Sequence, residues 1–312
     1  MTSNTTVTAL KAAQISLLLK PLDAAVFLAP YGTVIPTAFT SASSVLQTLP
    51  TGYQSVGLID KKSGIAFARA TTNAPVESYG FMQPTRDDIT DDVTTLEFEP
   101  QESANSMVLQ LTTGAAVSAL TANATSGEVF IPQPADEQVT YYTAIVIGKD
   151  SSDTMPVYII KVMPRVCVTK YGGANWTPTT LDSQKLTLTA FYDSVSGYAV
   201  AHGYGGPGWT QKLALTGITY TINALTVLPA TLSVVHTAGA QAALTVQDQF
   251  GGTVATNGNG TLSFSSGTTA TATINSSTGV ITPVAAGTST ITATWTPTSG
   301  SPVTGTMALT CT

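Results

Sequence analysis

Residues 86–92 read RDDITDD, and no other stretch concentrates so many groups able to do chemistry. Asp87, Asp88, Asp91 and Asp92 could offer hard oxygen ligands to a cation such as Ca²⁺. The run lacks the spacing and the central glycine of an EF-hand, however. Without a metal it reads as a solvated acidic loop, or as an acidic surface turned towards a partner. Between Glu77 and Glu102 there are eight acids and one base, Arg86, so the charge is not neutralised locally.

Other candidate chemistry is thinner. Gly203-Tyr204-Gly205-Gly206-Pro207-Gly208 fits G-x-G-x-x-G letter for letter. A dinucleotide site needs a strand before that motif, a helix after it and an acid about twenty residues on. Here Pro207 interrupts the turn into a helix, residues 209–216 read as extended, and no acid follows before Asp248. A turning loop is the better reading. His202 and His236 fall in different parts of the chain and suggest no metal pair. Ser55 is wrongly placed in residues 52–57 for a nucleophile elbow. Trp176 and Trp209 could stack on a sugar, although a lone Trp at a strand end is more often core. Cys167 and Cys311 read as two buried thiols, not a disulfide framework or a metal knuckle. No catalytic constellation, cofactor or metal site is expected, which argues against an enzyme.

The elements that must position these residues are strands. Only 10% of the 312 residues are charged, against the usual quarter or so, while 43% are hydrophobic and alternate with Thr, Ser, Gly and Ala. That is an all-β composition with small uncharged surface residues. The net charge is −6 and there is no basic stripe, which argues against a protein that grips nucleic acid by its phosphates. It suits one that lets nucleic acid slide past. The apolar run 12–19 is too short for a bilayer and is followed by Lys20 and Asp23. Folding in a cytoplasm, with no secretion signal and no membrane anchor, is the expectation.

Along the chain, residues 1–22 read as a polar arm in which a short helix would carry Leu10, Ile15, Leu18 and Leu19 roughly on one face; a frayed terminus is the preferred reading, and a strap onto a neighbouring subunit the other. Tyr53, Val56, Leu58 and Ile59 before the 61–64 turn, with Ile65 and Phe67 after it, read as a strand pair. The acidic loop then runs into a strand in which Leu96 and Phe98 alternate with Glu97 and Glu99. A helix is predicted from Pro100 to Gly114, with Glu102 in its first turn and Met107, Val108 and Leu111 on one face. Residues 118–127 form a small-residue loop. Strands are predicted at 128–132 and 140–147, the second returning through the 149–153 turn to 157–162 as a hairpin. Residues 165–170, 186–193 and 198–201 continue the strand pattern.

That order of elements resembles the tail tube (major tail) protein of long-tailed bacteriophages. Residues 24–37 (AAVFLAPYGTVIPT), 52–57 (GYQSVG) and the strand–helix stretch 98–114 carry the likeness, over about two-thirds of the chain. Where members of that family often have a Trp after the second strand, this chain has Tyr79-Gly80-Phe81. The resemblance implies a β-sandwich or barrel with one flanking helix.

Near residue 222 the composition changes. No Lys or Arg follows Lys212, and after Asn223 the only charged side chain is Asp248. Residues 222–312 resemble a bacterial immunoglobulin-like domain of group 2, a second β-sandwich. The match rests on Val227-Leu228-Pro229, Gly239, Leu244–Val246, the 248–252 turn, residues 262–266 (LSFSS), Ala272–Ile274, Gly279–Ile281, Ala286-Gly287 and residues 291–295. Phe264 stands where a Trp is usual. Period-2 alternation puts Val246, Phe264, Ile274, Ile281, Ile291, Ala293 and Trp295 inward.

The two resemblances imply a structural virion protein with two domains, residues 1–221 and 222–312. Hexameric rings would stack into a tail tube, assembled in the host cytoplasm. Tape-measure protein and then DNA would pass through it without specific binding. Terminator and tip proteins would close its ends, and the second domain would face outward, where it could meet host-surface carbohydrate. Asp87, Asp88, Asp91 and Asp92 would then line the lumen or meet Lys61, Lys62 or Arg69 of the next ring, the latter being the preferred reading. The alternative is a bacterial surface or adhesive protein whose second domain binds carbohydrate.

Overall fold

The computed structural model describes residues 6–117, 121–136, 138–151, 153–236, 242–254 and 260–312. Residues 118–120 of the small-residue loop and Gly239 lie outside them. The chain is mainly β, with 42% strand and 9% helix. Its contacts separate two units. One is Lys20–Pro207; the other joins the N-terminal segment ending at Leu19 to Gly208–Thr312.

The first unit is built on antiparallel strands: β1 (Asp23–Pro30), β2 (Gln54–Ser55), β3 (Ile65–Val76), β4 (Arg86–Phe98), β5 (Tyr142–Asp150), β6 (Val157–Tyr171), β7 (Leu186–Ala190) and β8 (Ala201–Gly205). They pair in the order β2-β1-β5-β6-β7-β4-β3, with β8 added to β6. β5 is the strand most deeply enclosed. Tyr142, Ala144 and Val146 belong to one core, with Leu28, Leu96, Phe98 and Met163, while Ile145 and Ile147 belong to another, with Ile160 and Val162. A strand buried on both faces offers no solvent side for polar residues, so this run lacks alternation, and its buried Thr143 hydroxyl donates to the Pro164 carbonyl at 2.9 Å. The predicted hairpin with residues 157–162 forms, as the first part of β6.

The helix is shorter than predicted. It is a two-turn helix, Ser106–Thr113, capped by the Asn105 carboxamide oxygen, which accepts the Met107 N–H, and ended by Gly114 at φ +68. Glu102 lies before it. Its carboxylate accepts the Leu58 N–H at 2.9 Å and occupies the space a Cβ on Gly57 would need. The expected inward face holds, since Met107, Val108 and Leu111 are buried.

Other expectations along this part of the chain need correction. The 61–64 turn forms, with the Gly64 N–H donating to the Asp60 carbonyl, but its flanks do not pair with each other. β2 joins β1, Ile59 bridges to Pro100, and Ile65 opens β3. Residues 128–132 form no strand; no described strand pairs with them, and Val129 and Phe130 are exposed. Residues 209–216 are not extended, because two helical turns, Pro207–Thr210 and Leu213–Thr216, follow β8. Pro207 starts a turn instead of preventing one, its missing N–H being no loss at a helix's first position.

In the second unit the arm is a helical turn, Val7–Lys11, and a 3₁₀ turn, Ile15–Leu17, broken by Ala12 at φ +43. Leu10, Ile15 and Leu18 are exposed, so the expected apolar face is not formed. The strands are β9 (Leu225–Leu228), β10 (Thr231–Val234), β11 (Thr245–Asp248), β12 (Gly260–Ser266), β13 (Ala272–Ile274), β14 (Ile281–Pro283), β15 (Gly287–Pro297) and β16 (Val303–Cys311). A four-stranded sheet, β10-β16-β15-β12, shares one core with the pairs β11-β9 and β13-β14. Val246, Phe264, Ile281, Ile291, Ala293 and Trp295 are buried, and Ile274 is half-buried against them. Along β15, Thr288, Thr290, Thr292, Thr294 and Thr296 alternate with these core residues on the other face. Asp248 is buried and holds its own turn, accepting the Phe250 and Gly252 N–H groups and the Tyr220 hydroxyl. Cys167 and Cys311 are both buried free thiols.

Candidate assembly surface

The four aspartates are not in a loop. They lie on β4, paired with β3 from Ile65↔Phe98 out to Val76↔Arg86. Acidic residues are poor strand formers, but Ile89, Thr90, Val93, Thr94 and Thr95 between and after them are good ones. The partner strand supplies the rest of the pairing. β7 covers β4 only from Thr94 to Phe98, so beyond that point β3 and β4 form a two-stranded ribbon. Every residue from Ala68 to Val93 is exposed. At about 3.3 Å per residue, the ribbon reaches roughly 25–30 Å past the sheet before its tip loop.

Register divides the aspartates between two faces. Arg69 pairs with Thr94 and Thr71 with Asp92, so Arg69 and Asp92 are diagonal neighbours on one face. Their side chains form a two-pronged pair, Nε to Oδ1 at 2.8 Å and Nη2 to Oδ2 at 2.5 Å. The guanidinium draws the Asp92 carboxyl below its ordinary range, and the carboxylate holds Arg69 above its own. Asp87 accepts from the Asn73 amide at 2.6 Å on the same face. A bulge between Thr72 and Asn73 keeps this alignment while adding twist. Asp88 pairs with Arg86 at 2.9 Å, and Asp91, opposite Thr72, falls on the other face with it. Among the described residues no three His, Cys, Asp or Glu side chains gather to hold a metal ion.

Lys61 and Lys62 are exposed in the turn just before β3, at the base of the ribbon. Asp87 pairs with Pro75, ten residues along β3 from Ile65, which is roughly 30 Å away. Within one chain the structure therefore brings Arg69 to the acids, and keeps Lys61 and Lys62 apart from them. The G-x-G-x-x-G stretch is the end of an antiparallel strand and a four-residue helical turn, not a βαβ crossover.

Sequence reasoning missed one charged cluster altogether. Asp193 is buried and accepts the Tyr31 hydroxyl at 2.6 Å and the Ser196 N–H at 2.7 Å. These bonds, the Tyr31 one foremost, lower its pKa to about 2. The Arg165 guanidinium lies over the Tyr141 ring at 4.0 Å and 5.7 Å from the Tyr31 centroid. The Asp-Ser-x-Ser-Gly stretch at 193–197 is the one local signal, and it points to a turn alone, since Tyr31 is 162 residues away. An unfolded Asp titrates near 3.9. The folded group sits lower, so its contribution to stability is whole above that value and is lost as pH falls towards 2. Asp193→Asn should therefore weaken the unit at pH 6 and flatten its loss of stability between pH 4 and 2, measured by urea melts.

A family model described as phage tail tube protein matches residues 11–196. No curated protein matches the chain. Among solved structures, a chain from the 6-fold symmetrised baseplate of the anti-feeding prophage aligns at 8% identity, covering 58% of this chain and 91% of that one, with a TM-score of 0.31. A C-terminal fragment of intimin, solved with the intimin-binding domain of its translocated receptor, aligns at 16% identity over 55% of this chain and 58% of that one, with a TM-score of 0.21. Likenesses this weak carry no argument about what the chain does. The family match spans more than half of the 312 residues, and on it the chain belongs to the phage tail tube protein family.

Proposed function

We propose that this chain is the repeating subunit of a phage tail tube, a conduit for DNA made of stacked hexameric rings. Membership of the family gives it a structural tail role. The observation that carries the finer reading is the ribbon. A two-stranded hairpin is marginal by itself in water, yet here one runs from residue 68 to 93 with no third strand and no core side chain. Such an element fits a subunit whose neighbours supply the missing cover. Its acidic outer half would meet the Lys61–Lys62 turn of the next ring, which leaves no basic stripe to bind DNA phosphates in transit. Residues 222–312 would be an immunoglobulin-like module on the outside, in contact with nothing the tube needs.

Electron microscopy of the purified chain tests this. Tubes or six-membered rings are expected; particles that stay monomeric at high concentration would end the tube reading. A chain ending at Gly217 should give the same tubes without their outer decoration. Loss of assembly in that shortened, still soluble chain would put residues 218–312 in the tube wall.

A further inference from the structure

At the base of the ribbon the first unit has a cleft of about 420 Å³. That lies within the range of pockets that enclose a compact group, about 300–1,000 Å³. Phe67 of β3 and Ile159 of β6 form apolar walls, and Leu22 and Leu58 stand at its rim, each about two-thirds exposed. Pro21 packs over Gly148 at its floor, where a Cβ would come 3.1 Å from the Pro21 Cβ.

Lys161 also lines the cleft, its ammonium 4.1 Å from the centre of the Phe67 ring. Burial pushes its pKa down, and among the described residues no carboxylate comes within ion-pair distance. Lys61 adds a second cation. Of the two lining carboxylates, Asp60 is engaged by the Ser63 N–H and the Gln101 amide, and Asp23 belongs to the start of β1. A half-buried lysine above an apolar hollow suits an occupant with large apolar side chains and one carboxylate.

The ribbon tip is such an occupant. Tyr79 and Met82 are fully exposed and Phe81 is 70% exposed, three bare apolar side chains within four residues. The tip is nonetheless built. The Phe81 N–H donates to the Ser78 carbonyl, the Thr85 N–H donates to the Val76 carbonyl, and the Ser78 and Thr85 hydroxyls bond at 2.7 Å. Glu77 stands at its base. Own-chain docking is excluded by length, because the paired strands hold the tip roughly 25–30 Å from Phe67. The N-terminal arm of another copy is the rival apolar segment, but Lys11 and Lys20 give it the wrong sign of charge for Lys161.

We propose that the tip loop of one copy inserts Tyr79, Phe81 and Met82 into the cleft of a second copy, with Glu77 meeting Lys161. This rests on the tail-tube reading and names the contact that would join successive subunits. Tip and cleft are different surfaces, so the contact is head-to-tail and propagates instead of closing in a pair.

The test is a cysteine pair, Met82→Cys with Leu58→Cys, in the full chain, where Cys167 and Cys311 are buried. Oxidation of the assembled protein should give a ladder of disulfide-linked species beyond the dimer on non-reducing gels. Neither single variant should give one. Separately, Glu77→Lys and Lys161→Glu should each cut the assembled fraction at least tenfold, and the two together should restore it. Tubes from the cysteine pair without a ladder, or tubes unchanged in Glu77→Lys, would overturn the contact and leave the tube reading standing. A ladder from protein that forms open chains but no tubes would support the contact and overturn the tube.

Discussion

A chain in which residues 71–92 are replaced by Asn-Gly should fold as well as the parent and form no tubes at all. Ala70 pairs with Val93, and Asn-Gly is the two-residue loop that closes such a pair with the twist of the strands. The excised segment holds no buried side chain, while Ile65, Phe67, Leu96 and Phe98, which pack on the core, all remain. Its internal contacts are exposed pairs such as Arg86–Asp88, each worth about 0–1 kcal/mol. Stability by urea denaturation should therefore move by under about 1 kcal/mol. Assembly, followed by sedimentation and microscopy, should fall to nothing, because the contact surface proposed above has gone. Tubes of normal width and length from this variant would show that the ribbon is not what joins subunits. A large loss of stability would instead mean that the ribbon braces its own sheet.

The second large effect is expected in the other unit. Trp295→Ala should cost about 3–5 kcal/mol of its stability. Trp295 is 4% exposed near the end of β15, paired on both sides, opposite Leu262 on β12 and Val303 on β16. Gly260 lies against the indole, so close that a Cβ there would come 2.7 Å from its Cζ2. A backbone fitted so tightly round one ring cannot collapse into the space the ring leaves. Denaturation of the full chain followed by circular dichroism should show the shift. A change below about 1 kcal/mol would put the side chain on the surface, and with it the register of the whole strand, since a one-residue slip turns every side chain over.

How much could be read in advance depended on how local each signal was. The core of residues 222–312 was legible because period-2 alternation there is clean: Ile291, Ala293 and Trp295 point in and the threonines between them point out. β5 was legible for a different reason, the β-branched and aromatic residues crowded into 140–147 (TYYTAIVI). The ribbon was not. Asp87, Asp88, Asp91 and Asp92 carry loop chemistry, and the strand they form depends on pairing with residues 71–76, which no window around them contains. The start of the Ser106–Thr113 helix was misplaced for a related reason. Glu102 suits a helix's first turn, but its carboxylate is used on the Leu58 N–H, 44 residues earlier, and Asn105 caps the helix instead. The Tyr31–Asp193 bond lay beyond any spacing argument. Nothing near either residue announces the other.

The ribbon leaves the sheet from one side only, at the β3–β4 end of the strand order. Any column of subunits joined through it is consequently polar. At one terminus a set of acidic, aromatic-tipped fingers projects into solvent with nothing to hold. At the other, the surfaces that would have received them stand empty. Growth by addition meets different chemistry at each terminus and need not proceed at equal rates. A protein shaped to seal one terminus would find no purchase on the other, so a column of fixed length needs two unlike caps.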